Sequence, residues 1–367
     1  MQRCTQCIMT DTVPGIMFDD NGLCSYCREF KKERYLGKEK LDAIVAAARG
    51  KGHPYDCIVP LSGGRDSAYV LYLARKVYDL KVLAVNYNNE FQNPQALKNM
   101  QNACQRLEAD FVSVRSRTNL AREIVRYGLK SSNLRRKYSI CTACAYGMHS
   151  AVYRAAIEHR APLIFWGDSQ QEQTTPMERQ ARETLKLGKD TFRKHFNLDY
   201  YRYEWAFLKQ RREFKVPGNP WFVRRPKLKD KQIKEVHVFY YIPWDRHLIK
   251  KTIQEETGWE KPAGSVSTWR TDCYLTPLLN YFFYQIFTCG KETFGYCKMI
   301  NSGDMDREEA LRQEIEFQKT ILDVGVIRKM LEEDIGLSRR EADRVLSCAP
   351  TATPLKHNAN KSDEPRF

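Results

Sequence analysis

Long apolar runs are missing from this 367-residue chain. The most apolar stretch, Leu278 to Phe287, is broken by Asn280 and Gln285, so no membrane span is expected. The first residues, Met1-Gln2-Arg3-Cys4, carry no apolar signal core, and a cytoplasmic location is expected. Two familiar phosphate-binding signatures are also missing: no G-x-x-x-x-G-K-[ST] loop, and no G-x-G-x-x-G after a strand. Acidic residues are outnumbered, 45 against 60 Lys and Arg, for a net charge of +15. That balance suits a polyanionic partner or substrate (RNA, a nucleotide sugar or ATP), or simply a basic, solvated surface.

What the chain does contain is a strand, a glycine turn and a helix in order. Cys57-Ile58-Val59-Pro60-Leu61 reads as a buried strand, Ser62-Gly63-Gly64-Arg65-Asp66-Ser67 as the turn, and Ala68 to Lys76 as the helix. Glycines let backbone approach a phosphate, and the helix N-terminus holds the anion with free amides and its dipole. The turn resembles the SGGxDS loop of the ATP-pyrophosphatase (PP-loop) enzymes, which split ATP between the α- and β-phosphates; an ordinary Ser-Gly turn is the plain alternative.

Beyond the loop, strands at Lys81–Tyr87, Phe111–Val114 and Pro162–Trp166 alternate with helices near Gln95–Leu107, Leu120–Arg126 and Tyr146–His159. The pattern predicts an α/β fold, a doubly wound parallel sheet with ligands beyond the carboxyl ends of the strands. Three strand ends then converge: the loop, Val85-Asn86-Tyr87 with the Asn88–Glu90 turn, and Trp166-Gly167-Asp168 with Glu172. Pro60, Leu61, Ser62, Gly63, Gly64, Arg65, Asp66, Ser67, Val85, Asn86, Tyr87, Trp166 and Gly167 are the expected ATP-binding residues. Asp66, Arg65 and Ser67 are the expected catalytic ones. Asp66, Asp168 and Glu172 are the expected Mg²⁺ ligands, hard oxygen donors that a cation shared with phosphates requires. Asp168 has the alternative of capping a helix, and Arg65 that of a solvated side chain.

Cys4-x-x-Cys7 and Cys24-x-x-Cys27, sixteen residues apart, have zinc-ribbon spacing; four thiolates close a tetrahedral Zn²⁺ site, with redox pairs as the alternative. A third pair, Cys141-Thr142-Ala143-Cys144, opens a helix after basic Arg135-Arg136-Lys137. It offers a second metal site, for which Cys273, Cys289 or Cys297 could complete an iron–sulfur cluster, or two half-buried structural cysteines. A helix is expected from Phe30 to Gly50. From Tyr200 to Lys234 bases interleave with aromatics, including Trp205, Phe207, Arg211 and Trp221, a pattern that suits nucleic acid, a lid over a nucleotide sugar, or a solvated face. The expected division is a zinc ribbon over 1–35, a nucleotide domain over 36–200, a mostly helical carboxyl-terminal region over 201–348 and a disordered tail over 349–367.

The ordered set of motifs is similar to one family in particular. It comprises the cysteine pairs around Pro14-Gly15-Ile16 and Phe18-Asp19, Pro60 to Ser67, Leu83 to Tyr87, Cys141 to Cys144, Trp166 to Ser169, Trp269-Arg270-Thr271-Asp272-Cys273 and Arg307-Glu308-Glu309-Ala310. Together they resemble the N-acetyl sugar amidotransferases (WbpG/PseA-like) of bacterial surface-polysaccharide biosynthesis, over nearly the whole chain up to about Arg312. Asn88 stands where related enzymes often have an acid, and Asp168 where Glu is common. The resemblance implies an ATP-dependent amidotransferase that adenylates the acetamido oxygen of a nucleotide-linked sugar and replaces it with ammonia, for lipopolysaccharide O-antigen or a related glycan. It also implies Trp269, Arg270, Asp272 and Arg307 as substrate-binding residues. No glutaminase signature is present, so a separate HisH/HisF-like glutaminase partner or free ammonium is expected to supply the nitrogen. The alternatives are a PP-loop tRNA thiolase working through Cys141 and Cys144, and a non-catalytic zinc scaffold.

Overall fold

A computed structural model of the chain describes residues 1–32, 34–116, 120–130, 140–172, 175–185, 202, 205, 206, 209 and 232–347. The expectations for Arg135 to Lys137, for most of the base–aromatic stretch and for the tail lie outside the described residues.

Five strands, β1 (Cys57–Pro60), β2 (Val82–Asn88), β3 (Asp110–Arg115), β4 (Leu163–Trp166) and β5 (Lys234–His237), form one parallel sheet in the order β3-β2-β1-β4-β5. β1 and β4 are buried throughout, because a parallel sheet is covered on both faces. Alternate residues divide between two cores, as the two-residue repeat of a strand requires. Cys57, Val59, Ala84 and Phe165 join one; Ile58, Leu83, Ile164 and Trp166 join the other.

The helices follow in chain order as α1 (Lys38–Ala48), α2 (Arg65–Tyr72), α3 (Pro94–Arg106), α4 (Leu120–Lys130), α5 (Thr142–Glu158), α6 (Pro176–Thr184), α7 (Arg246–Thr257), α8 (Thr276–Phe287), α9 (Lys291–Ser302), α10 (Arg307–Ile321), α11 (Val324–Lys329) and α12 (Arg339–Ser347). On one face α2 and α3 contribute Val70, Met100 and Ala103 to the core; on the other α5 contributes Ala151, Val152 and Ala156. The sheet is therefore doubly wound, and the chain leaves β1 toward β2 on one side and is met by β4 on the other. That reversal opens a crevice at the carboxyl ends of β1 and β4. Leu278, Leu279 and Phe282 of α8 form a third core with α4, α11 and α12.

The structure departs from the sequence reading in two elements. The helix expected from Phe30 begins only at Lys38, because the amides of Leu36 and Gly37 donate to the carbonyls of Tyr240 and Tyr241 instead of entering a helix. β5 was not anticipated at all. Around the cysteine pairs the backbone forms isolated antiparallel bridges, Arg3–Thr10 and Phe18–Cys24. One apolar cluster runs from Cys4 to Ala310, so segment 1–35 shares its core with the sheet and with α9 and α10. Among the described residues no helix is long and apolar enough to cross a membrane.

Candidate active site

The loop after β1 is held by its own serines and by distant side chains. Ser62 Oγ and Ser67 Oγ lie 3.2 Å apart; the Gly64 amide donates to Ser62 Oγ (3.2 Å), and Ser67 Oγ donates to the Gly64 carbonyl (3.1 Å). Gly63 has φ +81°, and a Cβ there would meet the Ala96 carbonyl oxygen at 2.2 Å, so no other residue fits. Its carbonyl accepts from Trp259 Nε1 (3.0 Å) and Asn99 Nδ2 (3.4 Å). At the start of α2 the N-cap is Gly64, which has no side chain to satisfy the first-turn amides. Those amides have no intrahelical carbonyl either, so they remain for an anion. The β4 loop comes close: a Cβ on Gly167 would lie 3.3 Å from the Asp66 carbonyl oxygen and from Ser67 Cα.

A cavity of about 580 Å³ opens over this loop. It brings together every expected ATP-binding residue except Gly63, which forms the turn behind them, and also Asp168, Glu172, Cys141, Cys144, Trp269, Arg270 and Asp272. Arg307 is not among them. Its guanidinium donates to the carbonyls of Cys4 (3.1 Å) and Cys7 (3.2 Å), so it braces the cysteine-rich segment rather than lining the cavity.

Within the cavity the charges are already paired. Arg65, only 4% exposed, grips the Asp66 carboxylate through Nε (2.8 Å) and Nη2 (3.0 Å), donates to Thr268 Oγ1 (2.8 Å) and stacks on Trp244 at 4.8 Å. It is thus a built-in partner of Asp66, not a solvated side chain. Asp168 meets His237 Nδ1 at 2.7 Å, and His237 stacks between Trp166 and Tyr240. Glu172 accepts from Trp269 Nε1 (2.8 Å); burial, and then the Asp66 charge, push its carboxyl above the usual range. Arg270 has a left-handed backbone, φ 53°. Burial disfavours its charge, but Cys141, Glu172, Glu292 and Asp272 around it outweigh that, and its proton is held more tightly. Asn86 is a clamp between strands: it donates to the Leu61 carbonyl (2.9 Å) and accepts from Ser113 Oγ (3.0 Å).

Asp66, Asp168 and Glu172 do not gather into a preformed cage, since the only described group of metal-type side chains with ligand atoms within 4.8 Å of one another is elsewhere. Asp66 and Glu172 lie near enough for the Asp66 charge to act on Glu172, and a magnesium ion arriving on nucleotide phosphates would need only one or two such carboxylates.

That other group is Cys4, Cys7, Cys24 and Cys27, all buried. The sulfurs of Cys4 and Cys27 lie 3.9 Å apart and those of Cys7 and Cys24 3.8 Å. Backbone amides of Cys7, Met9 and Cys24 donate to these sulfurs, as does Asn301 Nδ2 of α9 to Cys27 (3.2 Å). Hydrogen bonds from Cys24 and Cys27 pull the Cys4 thiol down, while the Cys7 thiol is pushed up by the thiols around it. Four buried sulfurs in an N–H-rich shell fit a closed tetrahedral metal site.

Cys141, Cys144 and Cys273 line the cavity, with Asn89 Nδ2 donating to Cys144 Sγ at 3.2 Å. Burial pushes the Cys144 thiol up to about 12 and raises Cys273 well above a normal thiol. Cys289 and Cys297 are buried away from this cavity. Sequence reasoning did not single out His237, Thr268, Trp244, Trp259 or Asn99. Each acts through a long-range contact, and no local pattern marks it.

No family model matches the chain. Over 133 residues it is 25% identical to an uncharacterized protein of Methanocaldococcus jannaschii, MJ1599, a match covering 34% of this chain and 47% of that protein; the chain thus spans about half the length of the curated relative it matches. Among solved structures it is similar to the U34-tRNA thiolase NcsA from Methanococcus maripaludis with its [4Fe-4S] cluster. That likeness has 15% identity, a TM-score of 0.36 and 88% coverage of each chain. Neither likeness fixes a reaction.

Proposed function

We propose that the chain is a PP-loop ATP-pyrophosphatase that adenylates the acetamido oxygen of an N-acetylated, nucleotide-linked sugar and then exchanges that oxygen for ammonia. One observation carries the ATP chemistry. The serine-locked loop ends on an uncapped helix N-terminus at the crevice of a parallel sheet, facing paired carboxylates across one cavity. The sugar chemistry rests on the motif resemblance, whose Trp269, Arg270 and Asp272 line that cavity together with the loop.

The amide oxygen attacks the α-phosphorus and the bond to the β-phosphate oxygen breaks, releasing pyrophosphate. Ammonia adds to the imidate carbon, AMP departs with the oxygen, and loss of a proton leaves the acetamidino group. Adenylation is needed because an amide oxygen is a poor leaving group. The α2 amides hold the terminal phosphates. Arg65 fixes the Asp66 carboxylate as a positioning residue, and Arg270 offers positive charge to the α-phosphate oxygens. Magnesium held by Asp66 and Glu172 would neutralise charge on the departing pyrophosphate. Zinc in the four-cysteine site braces the fold. A HisH/HisF-like glutaminase, or free ammonium, supplies the nitrogen.

The reading is tested by incubating the chain with ATP, Mg²⁺, ammonium and UDP- or CMP-linked N-acetyl sugars. The expected result is AMP together with a product in which NH replaces oxygen. AMP formed only with tRNA and a sulfur donor would instead establish sulfur transfer. The three cavity thiols favour that second reading, in which Cys141, Cys144 and Cys273 would carry sulfur or an iron–sulfur cluster. Burial raises the thiols of Cys144 and Cys273, so in that reading a bound metal or a neighbouring positive charge would have to draw out the thiolate.

A further inference from the structure

Behind Arg65 lies a second cavity of about 450 Å³, distinct from the first but sharing Arg65, Thr268 and Trp269 as a common wall. Its floor is buried and ring-rich, with Trp244, Trp269 and Tyr296. Its rim is cationic: Lys250 and Lys261 are exposed there beside His247, and the lining holds a single carboxylate, Glu309, already claimed by Arg246 in a two-pronged ion pair. Two N–H donors in this wall have no acceptor among the described residues, the indole of the 4%-exposed Trp244 and the Nε of Arg246. Leaving a buried donor without a partner is unfavourable, so such a pair marks a place where an acceptor-rich ligand belongs.

We propose that this second cavity binds the nucleoside diphosphate of the acceptor substrate, with its ring system over Trp269 and Tyr296 and its phosphates among Lys250, Lys261 and the donors of Trp244 and Arg246. The ligand must be anionic, because permanent positive charge outnumbers negative in the lining. It must also carry a flat or apolar ring, because an aromatic floor does nothing for bare phosphate. It is not the ATP of the first cavity, whose phosphate loop lies on the other side of the Arg65–Thr268 contact. Because Arg65, Thr268 and Trp269 line both cavities, a group attached to the diphosphate would lie next to the cavity that holds the loop. The assignment rests on the amidotransfer reading for its substrate, but the cavity itself is tested by binding alone.

The experiment is calorimetric titration of the full-length, metal-loaded chain with UDP, CDP, GDP and dTDP, with and without a non-hydrolysable ATP analogue. At least one diphosphate should bind while the analogue is bound. The Lys250→Ala/Lys261→Ala double variant should weaken it about tenfold with affinity for the ATP analogue unchanged, and Trp244→Phe should weaken it about threefold. Failure of all four to bind, equal binding by the variants, displacement by the analogue, or pyrophosphate binding as tightly as the nucleotide would each overturn the site. Diphosphate binding with no AMP formed from any N-acetyl sugar would keep the site and remove the amidotransfer reading. Turnover insensitive to the lysine variants would do the reverse.

Discussion

The indole N–H of Trp259 donates to the carbonyl of Gly63 at 3.0 Å, tying the phosphate loop to a residue 196 positions later in the chain. Gly258 ends α7 in the left-handed conformation, which turns Trp259, 1% exposed, back under the loop. The Gly63 carbonyl is thereby held away from the site, leaving amides as the groups that face an anion. Trp259→Phe keeps the ring and removes this bond, so ATP should bind several-fold more weakly and the fold should lose about 1–3 kcal/mol. ATP titration and urea unfolding check both. Unaltered ATP affinity would show that the loop holds its shape without Trp259.

The two loop glycines should not be equivalent. A methyl at Gly63 would meet backbone at 2.2 Å in a left-handed conformation, whereas at Gly64 its nearest neighbour is Ser62 Oγ at 3.2 Å, which can turn aside. Gly63→Ala should abolish ATP binding, and Gly64→Ala should only weaken it. Equal effects in the same titration would contradict the packing of the loop on α3.

Arg307→Met tests where that guanidinium acts. Its bonds to the Cys4 and Cys7 carbonyls predict lower metal retention under chelator challenge and a stability loss of about 1–3 kcal/mol, with no change in ATP KM. A raised KM for the acceptor with full metal content would return Arg307 to substrate binding.

Glu172 predicts a pH dependence. Burial and the Asp66 charge raise its pKa above 4.5 in the folded chain, so the folded state holds this proton more tightly than the unfolded one. Stability then falls as pH rises from 4.5 through the raised value. Glu172→Gln removes that loss. In magnesium-free buffer its melting temperature should exceed the parent's at neutral pH and converge with it near 4.5, while turnover drops. A variant less stable at neutral pH would mean that the ionised carboxylate is itself a structural group.

Cys144→Ser and Cys273→Ala separate the two chemistries. Ammonium-dependent AMP formation should survive both within a few-fold, since neither thiol enters the amidation. Loss of all turnover in both variants, with native melting curves, would favour sulfur transfer.

The loop could be read from sequence because its determinants are neighbours: an apolar strand, two glycines, an N-cap and a helix lie within twenty residues. β1 to β4 were legible for the same reason. β5 was not, because Lys234-Glu235-Val236-His237 holds one apolar residue, and only its pairing with β4 makes it a strand. With it went His237, and so the partner of Asp168. The Arg65–Asp66 pair was half visible: adjacency in sequence does not say that a guanidinium will curl back to a neighbour rather than reach solvent. Thr268 and Trp244 close that choice from more than 170 residues away. Arg307 shows the opposite limit, a residue that the motif resemblance places with the substrate and whose hydrogen bonds go to the Cys4 and Cys7 carbonyls.

The bonds from Arg307 and Asn301 to the first cysteines span between 274 and 303 residues. During synthesis, therefore, the four thiols emerge from the ribosome long before α9 and α10 exist to cover them. For most of translation they stand as an open, chelating segment without its lid. A metal held by these cysteines would be captured before burial, and α9 and α10 would close over it afterwards. A chain loaded after folding has to reopen that junction between its beginning and its end.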